Sequence, residues 1–418
     1  MRFLFVHQNF PGQFLHIVRH LVAARTHEIV FITQPNANEI PGVRKVPYRA
    51  PDAPGPGTHA TVREFETAAR RAESVARTAT NLKRLGFEPD IIIGHHGWGE
   101  LLHLRDVWPA APVLGYFEFF YHVDGIDVGF DPEFPSDPSD FPRIRAKNAV
   151  NLLALNLGGF GQTPTAWQLS TYPEWAHDQI TLLAEGVDLT LARPDPEART
   201  APLRIGDAQI GPDEKLVTYV ARDLEPYRGF HVMMRALPHL LSGRNDVRVV
   251  MVGGDGVSYG AVPLGTTWKQ IMLKELAGKI DPNRVLFPGR IDYRTYLRML
   301  QRSDAHVYLT YPFVASWSLR EALASGCAVV GSDTEPVREF VHHKRNGLLV
   351  PFFEPKCLAD TVLELLEDEV MARRLRLGAR RYAEKHLGMA GYITGYKELI
   401  GRITQSPVES PAPRSARA

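Results

Sequence analysis

The feature that most constrains this chain is an alternation: apolar runs of five to eight residues separated by longer segments of helical period. In the first half the runs are "RFLFV" (2–6), "EIVFIT" (28–33), "DIIIG" (90–94) and "PVLGYF" (112–117). In the second half they are "KLVTYV" (215–220), "VRVVMVGG" (247–254), "RVLFPG" (284–289), "AHVYLT" (305–310), "CAVVGSD" (327–333) and "GLLVP" (347–351). Each is too short and too rich in β-branched or aromatic residues to prefer helix. Between the first of them, "GQFLHIVRHLVAART" and the stretch 61–86 read as helices. In the latter, Phe65, Ala68, Ala72, Val75, Ala79 and Leu82 recur at three- and four-residue steps and make one apolar stripe, suited to packing on a sheet or to lying on a membrane surface. Strands alternating with helices predict an α/β chain whose parallel sheets are covered on both faces.

A chain of 418 residues with 44% hydrophobic content exceeds the size at which one core usually stops growing, so two domains are expected. "EGVDLTLARPDPEARTAP", with three prolines and little periodicity, marks the junction. The expected division is a first domain over 1–188, a linker over 189–203, a second domain over 204–385, a helix over 386–404 that returns to the first domain, and a disordered tail over 405–418. Segment 124–143 reads as a long Pro- and Asp-rich loop, of a length that is usually functional or mobile. Forty-eight Lys and Arg against forty-seven Asp and Glu leave +1, so no global field attracts nucleic acid or an anionic membrane. Cys327 and Cys357 are too few for a disulfide framework and lack zinc-site spacing, which fits a reducing cytoplasm. The start, "MRFLFVHQNF", has too short an apolar run for a signal peptide or a membrane span.

Ligands of open parallel sheets bind beyond the carboxyl ends of the strands, which selects the residues to weigh. After the first run, Gly12 in "HQNFPGQF" permits a close turn that serves as a phosphate or sugar cradle or as an ordinary strand-to-helix turn. No GxGxxG or GxxxxGK[ST] stretch supports a nicotinamide site or a P-loop. After run 215–220, Arg222 and Arg228 in "ARDLEPYRGF" suit a diphosphate clamp, or are two solvated arginines. After run 305–310, "SWSLREALASG" opens a helix with Ser316 and Ser318 as caps; Glu321 accepts hydrogen bonds from sugar or ribose hydroxyls, or simply favours the helix dipole. In "GHHGWGE", His96 and Glu100, with Glu118 further on, are candidates to hold a sugar or an incoming hydroxyl, with His95 the weaker of the histidine pair. A histidine capping a helix is the alternative for His96, and a core position the alternative to stacking for Trp98.

These motifs carry a resemblance. The second half is similar to the donor domain of retaining glycosyltransferases of family four, whose fold is GT-B: two Rossmann-like domains with parallel sheets facing across a cleft. "ARDLEPYRGF" resembles the family's G-R-x-x-x-x-K-G stretch, one residue longer, with Arg222 at the Arg position, Arg228 at the Lys position and Ala221 for the first Gly. "VRVVMVGGDG" resembles its strand and glycine turn, placing Gly253; "VLFPGRI" its base-contacting loop, placing Arg290 and Ile291; and "LREALASGCAVVGSD" its E-A-x-A-x-G-x-P-V-V segment, placing Leu319 and Glu321 beside Ser316 and Ser318. "LLAEGVD" resembles the hinge before the second domain, and "GHHGWGELL", "YFEFFYH" and "TPTAWQ" resemble the acceptor domain of one bacterial subgroup. The family's first glutamate of a pair eight positions apart falls on Phe313. The resemblance implies transfer of a sugar from a nucleotide diphosphate sugar to a saccharide, lipid-linked or small-molecule hydroxyl acceptor, with retention, in polysaccharide biosynthesis. It further implies Arg222, Arg228 and His96 as catalytic groups, no cofactor, no metal, no nucleic acid, a cytoplasmic site and scope for peripheral membrane contact. A nucleotide-sugar epimerase and a phosphorylase-like enzyme share the architecture, though no pyridoxal-lysine motif stands out; Phe313 most favours a non-catalytic sugar- or nucleotide-binding protein.

Overall fold

Every side chain of Ile91–His95 is buried, as are four of five in Arg2–Val6 and five of six in Glu28–Thr33. Strands apolar on both faces need a covering layer on each side, and the chain supplies it with helices between strands. The computed structural model describes residues 1–409. The chain divides into two compact units, Met1–Glu185 together with the chain from Ala390 on, and Gly186–Met389.

In the first unit, β1 (Arg2–Val6), β2 (Glu28–Thr33), β3 (Val43–Pro47), β4 (Ile91–His95), β5 (Val113–Tyr116), β6 (Phe160–Thr163) and β7 (Ile180–Leu182) form one seven-stranded sheet in the order β3-β2-β1-β4-β5-β6-β7. All of its pairings are parallel, with Phe3 beside Ile29 on one side and beside Ile91 on the other. The expected stripe belongs to helix Arg63–Arg84, which buries Ala68, Ala72, Val75, Ala79 and Leu82. Val75, Ala79 and Leu82 pack with Leu4, Val30, Ile92 and Val113, so the stripe covers the sheet. Leu, Val and Ile side chains buried in this way each contribute about 1.5–3 kcal/mol, which is why so many small apolar positions on one helix face suffice.

In the second unit, β8 (Leu203–Ile205) and β9 (Ala208–Ile210) make an antiparallel hairpin. Next, β10 (Lys215–Asp223), β11 (Val247–Gly254), β12 (Val285–Gly289), β13 (Ala305–Tyr308), β14 (Val329–Ser332) and β15 (Leu348–Val350) form a six-stranded parallel sheet in the order β12-β11-β10-β13-β14-β15. The segment expected as a linker, 189–203, packs along this unit. Ala192 lies in its core, the Ala192 and Arg193 carbonyls accept from Arg380 and Gln301 at 2.9 Å each, and Asp195 pairs with Arg298. The last helix, Met389–Thr404, buries Tyr392, Ile393, Tyr396, Leu399 and Ile400, and from Ala390 on belongs to the first unit.

The tail expected to be disordered begins otherwise. Val408, its one large apolar residue, is buried, and the Glu409 carbonyl lies 3.3 Å from His27 Nε2; residues 410–418 of that expectation lie outside the described residues. Strand order reverses between β1 and β4 in the first sheet and between β10 and β13 in the second. Those two points, at the carboxyl ends of the strands, are where each unit offers a crevice.

Candidate functional site

In the second unit the chain leaves β10 at Asp223, turns through Pro226–Arg228 and enters helix Phe230–Gly243 at Gly229. Gly229 has φ +66°, and a Cβ there would lie 2.4 Å from that of Leu309, so only glycine lets this turn close against the exit of β13. The turn carries two carboxylates that hold neighbouring loops. Glu225, wholly buried, accepts the backbone N–H groups of Ser258, Tyr259 and Gly260 at 3.0, 3.1 and 2.9 Å. Asp223 accepts the Ser258 hydroxyl at 2.5 Å and the Arg290 guanidinium at 3.2 Å. Gly253 and Gly254 permit this approach, since a Cβ on the second would lie 2.4 Å from Asp223 Oδ1. Arg290 is otherwise exposed, and Ile291 packs on the core.

Arg228 is buried inside this arrangement. Its Nη1 donates to Thr310 Oγ1 at 2.9 Å and to the Val314 carbonyl at 2.7 Å, and its guanidinium lies over the rings of Tyr259 (4.9 Å) and Phe313 (5.9 Å). Arg222, by contrast, is exposed on the last turn of β10's alternation, and among the described residues no contact joins it to the cluster. Of the two forks expected to act as a clamp, one is built in and the other stands outside.

Beside Arg228 begins helix Trp317–Ala324. Ser316 occupies its N-cap position, yet no side chain caps the helix, because the Ser316 and Ser318 hydroxyls bond each other at 2.6 Å. The Ser316 N–H is taken by the Tyr308 hydroxyl at 2.7 Å, and the N–H of buried Leu319 returns to the Ser316 carbonyl at 3.3 Å. With no side-chain cap, the first turn sets the positive end of the helix dipole beside a buried guanidinium, a setting that favours an anion. Glu321 is oriented by two tyrosines, whose hydroxyls donate to Oε1 (Tyr293) and Oε2 (Tyr296) at 2.8 Å each. Burial pushes its carboxyl above the usual range, and the two tyrosine hydrogen bonds oppose that shift.

In the first unit, β1 leads to His7 and the turn at Gly12, where φ is +55° and a Cβ would meet His7 Nδ1 at 2.9 Å. At the end of β4, His95 Nδ1 accepts the Gly97 N–H at 3.0 Å, which leaves the ring proton on Nε2, 3.3 Å from Glu118 Oε2. His7 stands 5.9 Å away, centroid to centroid. His96 corrects the sequence expectation. Successive residues leave a strand on opposite faces, and His96 turns into the interior against Phe117 (4.7 Å), with neither ring nitrogen hydrogen-bonded. His95 is the histidine that meets a carboxylate. Glu100 likewise lies behind the site, wholly buried, with Oε1 accepting the Tyr48 hydroxyl at 3.1 Å. Glu118 remains partly exposed, and so does the Trp98 ring, 6.1 Å from His95.

Burial, followed by the charge of His95, lowers His96 from 6.5 to about 3 and His7 to about 4; burial alone lowers His306, in the second unit, to about 4. All three folded-state values lie below the unfolded one, so the unfolded chain takes up protons first. The associated stability is full above pH 6.5 and is lost as pH falls from there toward 4 for His7 and His306 and toward 3 for His96. The thermal midpoint should therefore drop between pH 7 and pH 5, and His96→Leu should flatten the dependence; a slope unchanged in that variant would contradict the burial of a neutral imidazole.

Sequence reasoning missed Tyr259 and the anchoring role of Asp223 and Glu225. The carboxylates stand in the quoted "ARDLEPYRGF", but "VSYG" carries no motif of its own.

Residues 25–192 match the family described as "Glycosyl transferase family 4 group", and residues 205–384 match "Glycosyl transferases group 1". The chain is 27% identical to a D-inositol 3-phosphate glycosyltransferase of Jonesia denitrificans, over 50% of this chain and 48% of that protein. It is 30% identical to a phosphatidyl-myo-inositol mannosyltransferase of Mycolicibacterium smegmatis, over 50% and 46%. The chain thus spans about half the length of these curated relatives. Among solved structures, a sucrose-phosphate synthase from Thermosynechococcus elongatus superposes with a TM-score of 0.74 at 18% identity, over 97% of this chain and 99% of that one. HepE of Anabaena, solved in complex with UDP and glucose, gives 0.67 at 16%, over 96% and 100%. The fold is GT-B, and with both halves matched the chain belongs to the family 4 group of glycosyltransferases.

Proposed function

We propose that the chain transfers a glycosyl group from a nucleoside diphosphate sugar to a hydroxyl acceptor with retention at the anomeric carbon. One observation carries the reading: buried Arg228, ion-paired with no carboxylate among the described residues, lies beside the uncapped N-terminus of helix Trp317–Ala324 at the switch point of the second sheet. As the bond from the anomeric carbon to the β-phosphate oxygen breaks, negative charge develops on the diphosphate. Arg228 and the helix N–H groups meet that charge, and no metal is invoked. The acceptor oxygen bonds to the anomeric carbon from the same face, and its proton passes to the departing phosphate oxygen. Glu321 offers its remaining lone pairs to ribose hydroxyls, and Arg290 and Ile291 lie at the base end. Arg222, exposed on β10, supplies an outer positive charge to the same diphosphate. On the first unit, Glu118 and His95 offer an acceptor and a donor to a sugar or acceptor hydroxyl, and Gly12 the close turn beside them.

HepE and the inositol enzymes lend the donor and acceptor classes by likeness: a nucleoside diphosphate sugar, and a polyol, saccharide or lipid-linked hydroxyl. No helix among the described residues is long and apolar enough to cross a membrane. Cys327 and Cys357 are both free, in keeping with a reducing, cytoplasmic setting.

The test is nucleoside diphosphate release from a panel of nucleotide sugars, with and without acceptors, and assignment of the product's anomeric configuration by NMR. Acceptor-dependent release with retention is expected. Binding without transfer would favour a sugar- or nucleotide-binding protein, and release of an epimerised nucleotide sugar an epimerase.

A further inference from the structure

A guanidinium taken out of water is normally compensated by a carboxylate, because an unpaired buried charge is costly. Arg228 is 5% exposed, and its partners are a hydroxyl, a carbonyl and two ring faces. These are dipoles and quadrupoles, which ease burial but leave the net charge at +1. The acidic side chains around it hydrogen-bond other groups and none forms an ion pair with it, although the charge of Glu225 still favours the charged guanidinium. Glu225 is held by three consecutive N–H groups of the loop after β11, Asp223 by Ser258 and Arg290, and Glu321 by two tyrosines.

The same contacts build the aromatic cover. Three hydrogen bonds to Glu225 fix the backbone at Ser258–Gly260, and that sets the Tyr259 ring over Arg228 and 4.9 Å from Phe313. Phe313 in turn packs edge-on against Tyr227 at 5.7 Å. The loop that takes up the Glu225 carboxylate is therefore also the loop that lays a ring over Arg228.

We propose that a neutral side chain at position 313, beside the Tyr259 ring, leaves Arg228 a buried cation with no ion-pair partner of its own, held for the diphosphate, so that neutrality at position 313 is what this donor site requires. The inference rests on the nucleotide reading above. A carboxylate at 313 would stand within reach of the guanidinium, form a buried ion pair with it and cancel the charge offered to the ligand. A glutamate there, although it restores the pattern of the resembled family, should harm this chain.

The experiment is calorimetric binding of UDP, GDP and ADP to the full chain and to Phe313→Glu, Phe313→Gln and Phe313→Leu, with thermal midpoints recorded to confirm folding. Glutamine matches glutamate in size without its charge, and leucine keeps the position apolar. Expected is binding by the Gln and Leu variants within a few-fold of wild type, and binding by the Glu variant weaker than by the Gln variant by about tenfold or more. Equal affinity of the Glu and Gln variants, or an equal collapse in all three folded variants, would overturn the inference while leaving the nucleotide reading intact. A wild-type chain that binds none of the three diphosphates would overturn the nucleotide reading and the inference with it.

Discussion

Arg228→Ala is expected to lower nucleotide-sugar turnover by about a hundredfold or more, the usual size of effect when one fixed donor to developing negative charge is removed. The effect should exceed that of Arg222→Ala, since Arg222 is exposed and screened by water whereas Arg228 acts from a buried position. Truncation also frees Thr310 Oγ1 and the Val314 carbonyl, both of which water can satisfy once the side chain is gone. Arg228→Lys keeps the charge but loses the planar guanidinium that lies over the Tyr259 and Phe313 rings, so it should recover only part of the loss. The measurement is initial rates of diphosphate release under saturating donor, alongside thermal midpoints. Full activity in a folded Arg228→Ala chain would place the leaving group somewhere else.

The second large effect is on stability. A Cβ added at Gly115 would lie 1.8 Å from His96 Cδ2 and 2.1 Å from Nε2. That ring is wholly buried and backed by Phe117 at 4.7 Å, so it has nowhere to retreat. Gly115→Ala should cost about 3 kcal/mol, the upper part of the range for overpacking a filled core. For a unit of this size that corresponds to a fall of roughly 6–12 °C in thermal midpoint. In a His96→Ala background the same substitution should cost far less, because the clashing atoms are absent, and the non-additivity of the pair measures the contact directly. Equal cost in both backgrounds would show that the ring is elsewhere.

The histidine pair shows where sequence stops being informative. Alternation of strands and helices was legible because burial on both faces writes itself as apolar runs, and the stripe of helix Arg63–Arg84 was legible because packing on a sheet writes itself at helical period. Strands β3, β6 and β7 were not: "VRKVP" is half exposed and basic, "FGQT" has a single large apolar residue, and "ITL" is three residues long. Two adjacent histidines at a strand end differ by one step of register, which assigns them to opposite faces, and nothing local says which is which. Arg222 and Arg228 are near in sequence, yet strand alternation sends one to solvent while the turn at Gly229 sends the other inward. Phe313 was visible as a departure from pattern. Its role depends on the Tyr259 ring and the Glu225 anchor, which join the loop after β11 to the turn after β10, contacts no local pattern encodes.

The central claim is that the nucleotide end of the reaction lies on the second unit, at the turn after β10 and the start of helix Trp317–Ala324. Hydrogen exchange of the full chain, with and without a saturating nucleoside diphosphate that it binds, tests this most directly. Slower exchange is expected in peptides covering 223–229, 254–260, 289–291 and 314–321, with little change at the amino ends of the strands. Protection confined to the first unit, or binding that leaves 314–321 unchanged, would contradict it.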